Sequence, residues 1–150
     1  MKRGGQLLAA VAGLVAAIPV YYLTDAAARA LRGGTVAFAP APSALAYVAG
    51  VAVLVRLLTV WPVAALACGV PLTAAGVLFA LDLGSAVDLA ATLPWARAGG
   101  LPWTSGPVPW AEPGEPPGTL AGMTGLYALT GAFLVLSALL PARRRPLLGG

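Results

Sequence analysis

The chain has 150 residues, of which 59% are hydrophobic and only 9% are charged. Soluble domains carry about 25% charged residues, so this chain has too little charge to cover a water-facing surface, and its apolar content excludes intrinsic disorder. The net charge of +4 does not indicate nucleic-acid binding, because most of the basic residues flank apolar runs and form no sustained basic face. The composition therefore predicts an integral membrane protein.

The inventory of reactive side chains argues against catalysis. The chain has no His, a single Cys at position 68 and a single Lys at position 2. It therefore lacks the commonest general base, cannot form an internal disulfide or a CxxC redox pair, and cannot build a Cys/His metal site. We expect no enzymatic activity, no metal and no cofactor.

The first apolar run predicts a membrane span over about residues 6–31. Leu7 to Leu23 is uncharged, and Gly33-Gly34 offers a helix stop. Asp25 and Arg29 lie four residues apart, so they would face each other on the last turns of the helix. An alternative is a cleaved signal peptide, because Met1-Lys2-Arg3 precedes the apolar run and Ala28-Arg29-Ala30 resembles a cleavage site. We favour a retained span.

Three further spans are predicted, over about 43–61, 63–92 and 119–140, which makes the whole chain one all-α membrane domain. Trp61-Pro62 marks a tight turn between the second and third spans. Pro71 lies inside the third span, and Pro141 ends the fourth. Small residues recur at four-residue spacing, as at Gly13, which favours close internal packing of a four-helix bundle over a dedicated dimer seam.

The basic residues predict the orientation. One side of the membrane would hold Lys2, Arg3, Arg56 and Arg143 to Arg145 with no acid, and the other side would hold Arg29, Arg32 and Arg97 with all five carboxylates. Because basic residues favour the cytoplasmic side, both chain ends are predicted to be inside. The scarcity of Lys beside abundant Ala, Gly, Pro and Arg is typical of a GC-rich bacterial genome, so we expect the bacterial cytoplasmic membrane.

The extracytoplasmic loops, 32–42 and about 93–118, differ in character. The pattern from Thr35 to Ala39 predicts a short strand, which could form a small β element outside the membrane. Residues 93–118, called here the Pro/Trp segment, hold half of the chain's 14 prolines and repeat a Pro-Trp step. Proline stiffens the backbone and Trp is a strong interface anchor, so the candidate partner-binding residues are Trp95, Trp103 and Trp110. A lipid-anchoring aromatic belt is the alternative for these indoles.

Two acids lie near the end of the third span. Asp82 and Asp88, together with Arg29, are the candidates for an ion or polar site near the outer membrane boundary. An ion pathway needs acids held inside the bundle, whereas interfacial acids paired with Arg29 or Arg32 would be structural.

The sequence thus predicts a non-catalytic, multi-pass membrane protein that acts as an accessory or scaffold subunit. It would lie in the lipid bilayer and dock another membrane or envelope protein through the Pro/Trp segment. The alternative function is a small oligomeric transporter or channel that uses Asp82 and Asp88.

Overall fold

The computed structural model describes residues 3–38, 40, 42–93 and 116–140. Every regular element in these ranges is an α-helix. The six helices are α1 (Arg3–Ala37), α2 (Pro42–Leu58), α3 (Pro62–Leu81), α4 (Leu83–Thr92), α5 (Thr119–Met123) and α6 (Leu126–Leu139). The all-helical class predicted from composition is confirmed for these residues.

Two helices are long and apolar enough to cross a membrane by length and composition. They are α1, over Gly4–Val36, and α3. The helices α2 and α6 are also apolar but shorter. A buried core helix of a soluble protein, or a signal sequence at the N-terminus, would satisfy the same criteria.

The predicted strand at Thr35 to Ala39 is wrong for the residues that the structure describes there. The helix α1 continues through Gly33-Gly34 to Ala37, and Phe38 follows with a left-handed φ of 48°. A glycine pair inside a helix costs about 1 kcal/mol per residue, which does not by itself end a helix. Pro40, which disfavours helical backbone just before it, is the stronger stop signal.

The predicted continuous helix over 63–92 is divided at Asp82. This residue adopts φ −145° and ψ 88° between α3 and α4. Its carboxylate accepts hydrogen bonds from the Ser85 amide at 3.2 Å and the Ser85 hydroxyl at 2.6 Å. Asp is a preferred N-cap because its side chain satisfies amides of the first helical turn, and here it begins a new helix.

The predicted helix over 119–140 is divided as well. Gly125 has a left-handed φ of 74° and separates α5 from α6. The Thr124 hydroxyl donates to the carbonyls of Leu120 and Ala121, so it satisfies backbone groups where the helix is interrupted. The predicted ends of this region, after Gly118 and before Pro141, agree with the structure.

The four longer helices pack in a row, and the predicted four-helix membrane bundle is not confirmed. The helix α2 packs on α1, α1 on α3, and α3 on α6, while α2–α3 and α1–α6 contacts are sparse. Close approach is concentrated along α3, where an added Cβ at Gly69 would lie 2.9 Å from the Gly131 carbonyl. A Cβ at Gly13 or Gly76 would overlap Ala64 or Ala128. These small residues thus lie at contacts that join α3 to two neighbours, with α2 at one edge of the row and α6 at the other.

Candidate functional site

A buried ion pair lies near the C-terminal end of α1. Arg29 Nε donates to Asp25 Oδ2 at 2.6 Å across one helical turn, and the residues are 3% and 2% exposed. The prediction that these two side chains face each other is confirmed. A buried pair is tolerated only when its remaining polar atoms also find hydrogen bonds.

The ion pair obtains further hydrogen bonds from the residues that lead into α5. Arg29 Nη2 donates to the Pro116 carbonyl at 3.0 Å, and Asp25 Oδ1 accepts from the Ala121 amide at 3.4 Å, which is long for a hydrogen bond. The N-cap of α5 is Gly118, which has no side chain to bind the first amides. Asp25 therefore supplies from α1 the carboxylate that an N-cap side chain would normally supply.

Two tyrosines extend this contact. Tyr21 donates its hydroxyl to the Pro117 carbonyl at 2.9 Å, and Tyr127 donates its hydroxyl to the Tyr21 carbonyl at 3.1 Å. Their rings stack with centroids 4.5 Å apart, and Tyr127 is fully buried. We call the set formed by Tyr21, Asp25 and Arg29 with the backbone of residues 116–121 the α1–α5 clamp.

A groove borders the clamp. Helices α1, α3 and α4 enclose about 410 Å³, and Tyr21 is among the residues that line it. The other lining side chains are apolar apart from Tyr22, and Ile18 and Leu89 in its walls are also exposed at the surface. Such a groove can hold an apolar group, but its walls offer no carboxylate, amine or thiol for chemistry.

The structure does not gather the predicted polar site into one place. Arg29 is buried against Asp25 and donates a hydrogen bond to the Pro116 carbonyl. Asp82 is exposed and accepts a hydrogen bond from Ser85. Asp88 is exposed on α4. Two hydrogen bonds from Ser85 lower the pKa of Asp82 below its ordinary value. The bond from the Ser85 hydroxyl has a larger effect than the bond from the Ser85 amide. The two acids thus lie at the surface of the described residues.

The predicted partner-binding residues Trp95, Trp103 and Trp110 lie outside the described residues. The structure does describe both ends of the Pro/Trp segment. Leu93 lines the groove, and Pro116 to Gly118 belong to the clamp. The segment therefore leaves and returns beside α1.

The assembly of the clamp cannot be predicted from the sequence alone. The spacing of Asp25 and Arg29 predicts their pairing, and the fourth span is predicted to begin at about residue 119, but nothing local indicates that the two regions meet. Tyr127 lies in an apolar helix and carried no signal. The role of Tyr21 could not be predicted either, because a tyrosine at the end of a membrane span usually indicates a residue at the membrane interface.

The clamp is thus a set of polar contacts made within the protein, and the groove beside it is apolar. Among the residues that the structure describes, no group of three or more His, Cys, Asp or Glu side chains could hold a metal ion. Cys68 is free and buried. Comparisons with protein families, with curated proteins and with solved structures find no match to this chain.

Proposed function

We propose that the protein is a multi-pass membrane protein without catalytic activity, in which the Pro/Trp segment docks a partner in the membrane or the cell envelope. The observation that carries the proposal is the apolar outer surface of the helices. Leu8 is 73% exposed on α1, Val70 is 57% exposed on α3 and Leu129 is 68% exposed on α6. Lipid tolerates such side chains, whereas a water-facing helix would carry polar ones there.

The degree of burial supports lipid contact over a soluble core. Only 22% of the most apolar window of α1 and 39% of that of α3 are buried inside the molecule. The core helix of a soluble protein would be buried over most of such a window. Lipid can cover the remainder.

Packing also supports a retained first helix. Ala28, Arg29 and Ala30, which resemble a signal-peptidase site, are 7%, 3% and 3% exposed within an unbroken helix. Cleavage there would separate Tyr21 and Asp25 from the rest of the clamp. A protein that uses α1 in this way needs it after insertion.

The use of the polar groups supports a binding role rather than chemistry. Asp25 and Arg29 are engaged with each other and with residues 116–121, and Asp82 caps α4. Catalysis requires a titratable group aimed at a substrate, and these groups are aimed at the protein itself. The clamp holds the end of the Pro/Trp segment against α1.

Reporter fusions test the membrane topology. We expect both chain ends to be cytoplasmic, because the basic residues cluster there. A phosphatase fused after Pro146 should be inactive, and one inserted after Gly106 in the Pro/Trp segment should be active. Phosphatase activity after Pro146, or recovery of the intact chain without detergent, would contradict the proposal.

Replacement of the three indoles tests the docking function. The triple variant Trp95→Ala, Trp103→Ala and Trp110→Ala should insert normally but lose the proteins that crosslink to the Pro/Trp segment in cells, because aromatic anchors supply much of the binding energy at interfaces. Trp61→Ala, which changes an exposed Trp in the turn between α2 and α3, is the matched control. Capture of the same partners by the triple variant would exclude docking through these residues. The alternative transporter function instead predicts a proton or cation flux in proteoliposomes that Asp82→Ala abolishes.

A further inference from the structure

The short helix α5 lies between two glycine joints. Gly118 precedes it with φ 92° and Gly125 follows it with φ 74°. A Cβ at Gly118 would overlap the Tyr21 hydroxyl, whereas a Cβ at Gly125 would meet no atom within 4 Å. Gly125 is thus required for its left-handed backbone conformation alone, because a side chain there would contact nothing.

The contacts that hold α5 in place come largely from other helices. Asp25 and Arg29 bind the residues at its start, and the Phe79 ring of α3 packs so closely that a Cβ at Gly122 would overlap it. Thr119 and Ala121 are buried by these contacts. Breaking the clamp removes hydrogen bonds to α5, while α1, α3 and α6 keep the glycine and alanine contacts that join them.

We infer that α5 is a hinged strap, which turns at Gly125 and is held closed against α1 by the Asp25–Arg29 pair. When the strap opens, Pro116 and Pro117 leave Arg29 and Tyr21, and the end of the Pro/Trp segment moves with them. The regulatory meaning of this device rests on the proposed function, because movement of the strap would change how the docking segment is presented. The strap itself requires no partner.

Thiol labelling of the purified protein in detergent micelles tests the strap. In Thr119→Cys the new thiol replaces a side chain that is 8% exposed, and the native Cys68 is fully buried in α3. Peptide mass spectrometry after exposure to a soluble maleimide measures both thiols in one sample. Cys68 then reports opening of the whole fold, and position 119 reports opening of the strap.

The variants differ in how they weaken the closed state. Asp25→Asn, made in the Thr119→Cys background, leaves the Arg29 cation buried without its carboxylate, so we expect position 119 to react at least about tenfold faster. Gly125→Ala forces an L-residue into a left-handed conformation, and an increase of about five- to thirtyfold is expected. In both variants Cys68 should still react far more slowly than position 119, because it is exposed only when the whole fold opens.

Two results would overturn the inference. Unchanged labelling at position 119 in both variants would mean that neither the ion pair nor the joint controls α5. A Cys68 that reacts as fast as position 119 in the same sample would mean that the clamp holds the entire fold rather than a strap. Neither result bears on docking through the three indoles, which is tested separately by partner capture.

Discussion

At the scale of single residues, Gly118 is the position where one added carbon has the clearest consequence. Its φ of 92° is unfavourable for any L side chain, and the Tyr21 hydroxyl occupies the space that a Cβ would need. Tyr21 in turn uses that hydroxyl to bind Pro117. A side chain at position 118 would therefore disturb both the local turn and its attachment to α1.

We predict that Gly118→Ala lowers the free energy of unfolding by more than the about 1–2 kcal/mol that left-handed backbone costs an L-residue. Thermal unfolding in detergent, followed by circular dichroism, would measure the loss. Gly125→Ala has the same unfavourable backbone conformation but no overlap with a neighbouring atom. Gly5→Ala has neither, because Gly5 lies within α1 and an added Cβ there would meet no atom within 4 Å. Equal stability of the position 118 and 125 variants would show that the overlap with Tyr21 contributes nothing.

Only part of the clamp could be predicted from the sequence. Asp25 and Arg29 are one helical turn apart, so their pairing followed from helix geometry alone. Their bonds to Pro116 and Ala121 join residues about 90 positions apart in the chain. Such contacts depend on how the helices pack, and no local pattern encodes them.

At the scale of elements, Asp82 decides where α3 ends and α4 begins. The apolar pattern on its two sides suits one continuous helix, which is why a span over 63–92 was predicted. A carboxylate followed three residues later by Ser85 forms a favourable cap, and the cap divides the helix. Hydrophobic periodicity locates helices well but registers a capping side chain only as one polar residue.

We predict that the cap of α4 weakens in acid. Hydrogen bonds from Ser85 lower the folded-state pKa of Asp82 below its ordinary value of 3.8. The contribution of a lowered carboxyl pKa is fully present above the unfolded-state value and is lost as the pH falls through the folded-state value. The Ser85 amide resonance should therefore titrate with a midpoint below 3.8.

Asp82→Asn provides the matched control for this titration. Asn retains a capping oxygen but has no carboxyl proton to gain, so the Ser85 resonance should stay constant with pH. A midpoint above the ordinary Asp value in the native protein would contradict the assigned role of the cap.

At the scale of the whole molecule, composition correctly indicated helices but did not determine their arrangement. Small residues allow close contact wherever they occur, so the spacing of Gly13, Gly69 and Gly76 was compatible with several ways of packing four helices. The structure places these contacts along α1, α3 and α6 and produces a row. The absence of strong α2–α6 packing among the described residues could not be inferred from either helix alone.

The two helices at the edges of the row are also the shorter ones. The 17 residues of α2 and the 14 of α6 rise about 26 Å and about 21 Å, at 1.5 Å per residue. A typical hydrocarbon core is about 30 Å thick. If the protein lies in a membrane, as proposed, α2 and α6 are both shorter than the hydrocarbon core around them. Lipids beside them would have to compress, at a cost of fractions of a kcal/mol per Å.

The protein should therefore resist heat best in bilayers of short-chain phosphatidylcholine, and a melting temperature that rises with acyl length would show that α2 and α6 do not meet the lipid in this way.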